Sequence, residues 1–334
     1  MVREMGEQPD RLRALIGRTE EIAEHVRAVA PTPLHGITIV ARGSSDHAAV
    51  YGRYLLEAAT GKPVSLAAPS LHTLYGVEVD YGGQLVIAVS QSGATPEIVR
   101  TLQALQAGGG RGLAITNDPH SELARAADGV IELQVGDERA VPATKTVTAQ
   151  FIAFALTAAA LGRVPFTRDE LDVVPAATEA ILDDPGPPAA AAERLTGADE
   201  LIVVARGYMY AAALETALKV KETCSVLADG YSSADLRHGP IAAVTRGFPV
   251  VALRAFGPAF DDMFSLVDEL RMREASVLVI GSDESADMSL PARVPEPLAP
   301  IVAVVRGQQL AHGLATRLGL DPDNPQGLSK VTVT

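Results

Sequence analysis

From Val89 to Glu97 the chain reads Val-Ser-Gln-Ser-Gly-Ala-Thr-Pro-Glu. Two seryl hydroxyls, a carboxamide and a glycine stand between the end of an apolar run and the start of a helix. Thr95 is placed to cap that helix, its hydroxyl accepting a free N–H, and Pro96 has no N–H to leave unsatisfied at the first helical position. Glu97 complements the positive end of the helix. A loop of this kind aims several N–H and O–H donors at one anion, which is the chemistry of holding a phosphate ester. A second loop, Gly43-Ser44-Ser45-Asp46, follows an earlier apolar run. By itself it is either an ordinary strand-to-helix turn or part of the same kind of site. No Gly-Lys-Ser/Thr follows either loop and no Gly-x-Gly-x-x-Gly follows the first strand, so nucleotide binding loses ground.

Three further groups could move protons or react. Lys219 and Glu222 are three residues apart on a helical pattern, with Glu215 four residues before Lys219. Spacing alone reads these as ion pairs on one helix face. His238 precedes Gly239-Pro240; its imidazole titrates near neutrality, although a lone histidine beside Gly-Pro is otherwise structural. Lys330 stands four residues from the end, in a tail rich in Pro, Asp and Gly. An amine there is either solvated or a nucleophile for an open-chain keto sugar. The other histidines show no ligand spacing and Cys224 is the single cysteine. Neither a metal site, another cofactor nor an intrachain disulfide is expected.

The elements that must position these groups are legible in outline. Residues Asp10 to Val29 have helical periodicity. Short apolar runs at Ile37–Ala41, Val64–Ala67, Leu85–Ser90, Gly112–Thr116 and Val130–Leu133 read as buried strands. Helical stretches near Asp46–Ala59, Pro96–Ala107, Ser121–Ala127 and Val147–Leu161 alternate with them. The breaker run Asp183–Pro188 lies on the approach to a second half. There the expected elements are strand Leu201–Ala205, helix Ala211–Leu227, strand Pro249–Arg254, helix Ala259–Arg271, strands Val277–Ile280 and Pro300–Val305, and helix Gln308–Leu318. Such alternation implies parallel sheets covered on both faces. Ile39-Val40-Ala41-Arg42-Gly43 recurs as Val203-Val204-Ala205-Arg206-Gly207, on the first strand–loop–helix unit of each half. Duplication explains that better than chance.

At 334 residues the chain suits two domains, with aliphatic cores, since 47% of it is apolar but only 4% aromatic. A formal net charge of −13 argues against a nucleic-acid partner, while a local loop can still hold a small anion. Residues Met1 to Asp10 lack the apolar segment of a signal peptide, and Phe151–Leu161 is too short to span a bilayer. The expectation is a soluble, cytoplasmic protein without a membrane partner.

Taken together, four stretches resemble the sugar isomerase (SIS) domain family, and within it the isomerase half of glucosamine-6-phosphate synthases and stand-alone deaminases of that type. They are Ala41–Ser45, Ser90–Thr95, Val141-Pro142-Ala143-Thr144-Lys145, and Leu214–Glu222 with Leu236-Arg237-His238-Gly239-Pro240. The tail Asp321–Thr332 is similar too, with Gln326 where the family usually has Arg. The resemblance implies an α/β fold of two tandem doubly wound parallel-sheet domains with flanking helices. The expected divisions are 1–165 with an N-terminal helix, 166–318, and an active-site tail at 319–334.

The resemblance also implies roles. Ser44, Ser45, Ser90, Gln91, Ser92 and Thr95 would bind the sugar phosphate, with backbone contacts from Val141 to Ala143. Pro142 and Ala143 replace Ala and Ser, so a hydroxyl contact at Ala143 is lost. Glu222 would transfer the proton between C1 and C2, with Lys219 stabilising oxygen charge or holding the carboxylate. His238 would open the ring, reaching over from the neighbouring subunit of a homodimer with shared active sites. Lys330 would form a Schiff base with the keto sugar. The chain starts at Met1-Val2 without the synthase's glutaminase nucleophile, so the expected reaction is isomerising deamination of glucosamine 6-phosphate to fructose 6-phosphate and ammonia. The alternatives are another phosphosugar isomerase, a fructosamine-phosphate deglycase, or a regulatory protein that binds phosphosugars without turnover.

Overall fold

Five aliphatic runs of the first half assemble into one parallel sheet: β1 Gly36–Val40, β2 Val64–Leu66, β3 Gln84–Val89, β4 Arg111–Thr116 and β5 Gly129–Glu132. In this computed structural model, which describes residues 1–330, the strand order is β2-β1-β3-β4-β5. β1 pairs with β3 from Gly36–Gln84 to Val40–Ala88 and with β2 from Ile37–Val64 to Ile39–Leu66. All five residues of β1 are buried, because helices cover both faces and leave no solvent side for a polar alternation. Helices Thr19–Val29, Ser44–Thr60 and Lys145–Leu161 pack together as one layer, and Pro69–Thr73, Pro96–Ala107 and Glu122–Ala126 as another.

The second sheet comprises β6 Glu200–Ala205, β7 Leu227–Ser232, β8 Pro249–Arg254, β9 Ser276–Gly281 and β10 Met288–Ser289, again all parallel. Its order is β10-β9-β8-β6-β7. Counted from the β7 edge, that is the order of the first sheet, strand for strand. The five-residue repeat is thus the sequence trace of two equivalent folds.

Contacts divide the chain into two units. One contains Arg11–Glu138 and Lys145–Pro165; the other contains Met1–Asp10, Arg139–Thr144 and Phe166–Lys330. The segments 1–10 and 139–144 therefore belong with the later sheet. There the Gln8 carboxamide donates to Gln308 Oε1 (3.1 Å), and the Gln308 amide donates to the Thr144 carbonyl (3.2 Å).

Several expected elements differ. The helix expected over Asp10–Val29 is two helices, Gln8–Gly17 and Thr19–Val29, broken at Arg18. The strand expected at Pro300–Val305 and the helix after it form one helix, Ala299–Arg317. Residues 299–308 are all buried, so their apolar run has no face to show a period, and Pro300 fits a first helical turn. The helix expected to reach Leu227 stops at Cys224, followed by Ser225 in the left-handed region (φ 55°), and Leu227 opens β7. That strand, Leu-Ala-Asp-Gly-Tyr-Ser, forms a sheet edge and lacks an aliphatic run. Of two helices unassigned in sequence, Arg168–Leu182 ends just before the breaker run and Gly186–Leu195 begins within it, with prolines in its first turn. The first starts with a capping box between Thr167 and Glu170. The last four residues of the tail expected at 319–334 lie outside the described residues.

Candidate active site

In the earlier unit the strand order reverses between β1 and β3. Ligands of open α/β sheets sit outside the strand ends at such a reversal. The two loops singled out in sequence are those that leave these strands. After β1, Gly43 takes φ 60° and ψ −135°, a conformation closed to residues with a Cβ, and the helix Ser44–Thr60 begins at once. Ser45 in its first turn is 9% exposed and its Oγ accepts from Gln150 Nε2 at 2.9 Å. After β3, Ser90 Oγ accepts the Gly93 N–H (3.2 Å) and Ser92 Oγ the Ala94 N–H (3.3 Å). Gly93, at φ 60°, is pressed against Ser121, whose Oγ lies 2.1 Å from where a Cβ would stand.

Thr95 does occupy the N-cap, with Pro96 behind it, but its side chain makes no capping hydrogen bond. Its Oγ1 instead lies 3.5 Å from Ser90 Oγ. Proline has already removed one orphan donor, and the hydroxyl faces the loop. An ion pair between Arg42 Nη2 and Glu97 Oε2 (2.9 Å) ties the two loops together. Ser44, Ser45, Ser90, Gln91, Ser92 and Thr95 thus stand on two adjacent loops at one sheet edge. Burial raises the Asp46 carboxyl, against the lowering effects of His47 and Arg42.

The later sheet has the same reversal between β6 and β8. Gly207 repeats Gly43, with φ 59°. Here, however, the Glu296 side chain lies against both loops: its Oε2 is 2.1 Å from the place of a Cβ on Gly257, and its Oε1 is 3.4 Å from that on Gly207. Glu296 is 4% exposed, and burial raises its carboxyl while a hydrogen bond from the Ala259 N–H opposes that rise. The protein's own carboxyl fills the edge that in the earlier sheet carries hydroxyls.

The later unit also holds the titratable groups. The helix Tyr210–Cys224 places Glu215, Lys219 and Glu222 on one face. Lys219 Nζ lies 2.5 Å from Glu222 Oε2 and 3.3 Å from Glu215 Oε1. The side chains of Glu215 and Lys219 are fully buried, whereas Glu222 keeps 21% exposure. Burial alone would lower the Lys219 pKa, but the two carboxylates outweigh it and hold the ammonium above its ordinary value. The cluster presents one reachable carboxylate braced by a permanent cation, an arrangement able to take a proton and to steady charge on a neighbouring oxygen. Glu215 entered the sequence reading only as an ion-pair partner; its 215-219-222 spacing was the available signal.

His238 caps the short helix Ser233–Arg237 and is exposed. Arg237 pins that helix to Phe260–Met272 through Asp262 (2.9 Å) and Glu269 (3.1 Å). The tail is docked despite Gln326: the Val141 N–H donates to the Asp323 carbonyl (2.9 Å), and Lys330 Nζ donates to the Ala140 carbonyl (2.7 Å). Lys330 therefore meets the segment holding Val141 and Ala143. Sequence reasoning missed Gln150, which sits in a largely buried helix with nothing to mark it.

No helix among the described residues is long and apolar enough to cross a membrane. The sequence profile of the SIS domain matches residues 34–160 and 194–293, one stretch for each sheet. Over its whole length the chain is 35% identical to glutamine–fructose-6-phosphate aminotransferase [isomerizing] of Methanothermobacter thermautotrophicus, and it spans 57% of that protein. The solved C-terminal domain of glucosamine-fructose-6-phosphate aminotransferase from Francisella tularensis matches with a TM-score of 0.86 at 26% identity, over 96% of this chain and 97% of that one. Glucosamine-6-phosphate deaminase from Thermotoga maritima shares the fold, with a TM-score of 0.81 at 21% identity over 99% of each chain. With one profile matching both sheets over more than half of its length, the chain belongs to the SIS domain family.

Proposed function

We propose that this protein is an isomerising deaminase of an amino-sugar phosphate, converting glucosamine 6-phosphate to fructose 6-phosphate and ammonia. The observation that carries the reading is the Lys219–Glu222 contact at 2.5 Å, which provides a part-exposed carboxylate next to a buried cation. In this reading Ser44, Ser45, Ser90, Gln91, Ser92 and Thr95 take the phosphate, and the backbone of Val141 and Ala143 contacts the sugar. His238 opens the ring. Glu222 removes the C2 proton of the open aldose and returns it to C1, while a proton passes from the amine to O1, so that the aldehyde becomes an alcohol and the C2 amine a ketimine; Lys219 steadies the charge that develops on oxygen. The Lys330 amine displaces ammonia from C2 as a Schiff base, and water then releases the ketose. A phosphorylated sugar does not cross membranes unaided, which supports a cytoplasmic location for the enzyme.

A homodimer belongs to the same proposal. Leu71, Leu74, Tyr75, Val77 and Val79 are all exposed, with Leu74 at 78% and Tyr75 at 75%. So many apolar side chains in one short segment favour a protein partner, and sedimentation should give twice the chain mass.

The deciding experiment incubates the protein with glucosamine 6-phosphate and measures ammonia and fructose 6-phosphate together. Equal amounts of both support the proposal. Turnover of fructosamine phosphates alone would replace it with a deglycase, and binding without turnover of either would make the protein a sensor.

A further inference from the structure

Gln150 lies within the helix Lys145–Leu161, among Ala149, Phe151 and Ile152, and is 1% exposed. Its Nε2 donates to Ser45 Oγ at 2.9 Å, while its Oε1 is buried without a hydrogen-bond partner. A buried polar atom left bare among apolar neighbours is a cost that packing does not explain. The reverse orientation of the carboxamide would let Oε1 take the Ser45 proton, but it would leave two buried N–H groups without acceptors. Orphaned buried N–H groups are rarer than under-satisfied carbonyl oxygens. The observed orientation is therefore the cheaper one.

Its consequence falls on Ser45. A hydroxyl has one proton to give and two lone pairs to fill. With one lone pair occupied by the Gln150 amide, and no acceptor for its proton among the described residues, Ser45 stands as a donor in the first turn of its helix. That is the polarity an anion requires. We propose that Gln150 is a positioning residue that fixes the hydroxyl of Ser45 as a donor to a bound phosphate ester. The inference rests on the reading that the loops after β1 and β3 hold the phosphate.

The test is a double-mutant cycle on the full-length protein, read as the affinity for inorganic phosphate and for fructose 6-phosphate by calorimetry. Gln150→Met keeps the shape and removes the donor, and should weaken phosphate binding by about fivefold. In a Ser45→Ala background the same change should add less than about twofold, because the hydroxyl it acts through is gone. Gln150→Glu keeps the size but supplies a carboxylate that pulls the Ser45 proton away, so its loss should exceed that of Gln150→Met. A merely structural role would give equal losses with and without the Ser45 hydroxyl, and that result, or undiminished affinity in a folded Gln150 variant, overturns the inference. A Ser92→Ala arm separates the two levels. If neither Ser92→Ala nor Ser45→Ala weakens phosphate binding, the phosphate reading itself is wrong; if both do and the Gln150 variants do not, this inference alone fails.

Discussion

Lys219 holds its ammonium 2.5 Å from Glu222 Oε2, and on its other side 3.3 Å from Glu215 Oε1. The two acids are not equivalent. Glu215 has no exposure, so its charge is compensated from inside the protein, whereas Glu222 is partly open to solvent. Lys219→Met should therefore destabilise the protein by about 3–5 kcal/mol, most of it from stranding the Glu215 charge. The double variant Lys219→Met/Glu215→Gln should recover part of that loss in urea unfolding. A double variant no more stable than the single one would show that Glu215 is not the source of the cost.

The proposed division of labour between the loop hydroxyls and Glu222 is open to kinetics. Glu222→Gln retains the shape of the acid and loses its basicity, so turnover should vanish while sugar-phosphate affinity persists. Ser92→Ala should mainly raise KM, by about tenfold for one lost hydrogen bond to a charged group. Equal loss of binding in both variants would count against the assignment.

Glu296 gives a pH signature. Burial raises its folded-state pKa above the ordinary 4.5, so the folded protein holds this proton more tightly than the unfolded chain. The stabilisation from that proton is present below the unfolded value and lost as pH rises through the folded one. Glu296→Gln carries no such loss. Its urea midpoint should thus gain on the parent's as pH rises above the ordinary carboxyl value. A gap that stays constant as pH rises would mean that burial does not raise the Glu296 carboxyl.

Helix packing beneath the carboxylate cluster is equally specific. A Cβ on Gly307 would stand 2.2 Å from Thr216 Oγ1 and 3.0 Å from Thr216 Cβ, where the helix Ala299–Arg317 crosses Tyr210–Cys224. Gly307→Ala should cost about 1–3 kcal/mol by overpacking. Adding Thr216→Ala removes the nearest atom and should return part of the stability. Thermal unfolding of the single and double variants beside the parent decides it.

The sequence displayed the candidate site better than the elements between its parts. Hydroxyl-rich loops after aliphatic strands are readable because the strand, the glycine and the cap each leave a residue-type signature. Ser45 and the Ser90–Thr95 run stand where those signatures put them. The bracing residues were not readable. Gln150 is one of several polar residues in a buried helix, and its role depends on a contact with a residue 105 positions away. Glu296 came from an unremarkable loop, and only the equivalence of the two sheets shows what it fills. The strand expected at Pro300–Val305 failed for the opposite reason, since a helix buried on every side has no polar face to betray its period.

Lys330 offers the last test, because its present partner is the wrong one for chemistry. Its Nζ donates to the Ala140 carbonyl at 2.7 Å, a contact that stores the amine beside Val141 and Ala143. To form a Schiff base the amine must give up that bond and lose a proton, and a keto sugar held at the neighbouring backbone is the natural competitor. Adding fructose 6-phosphate and borohydride should therefore fix one sugar per chain on the peptide that contains Lys330, and Lys330→Met should abolish the adduct while inorganic phosphate still binds. Modification of exposed lysines in place of Lys330, at the same rate with and without the phosphate group on the sugar, would leave the tail a structural strap and remove the covalent step from the mechanism.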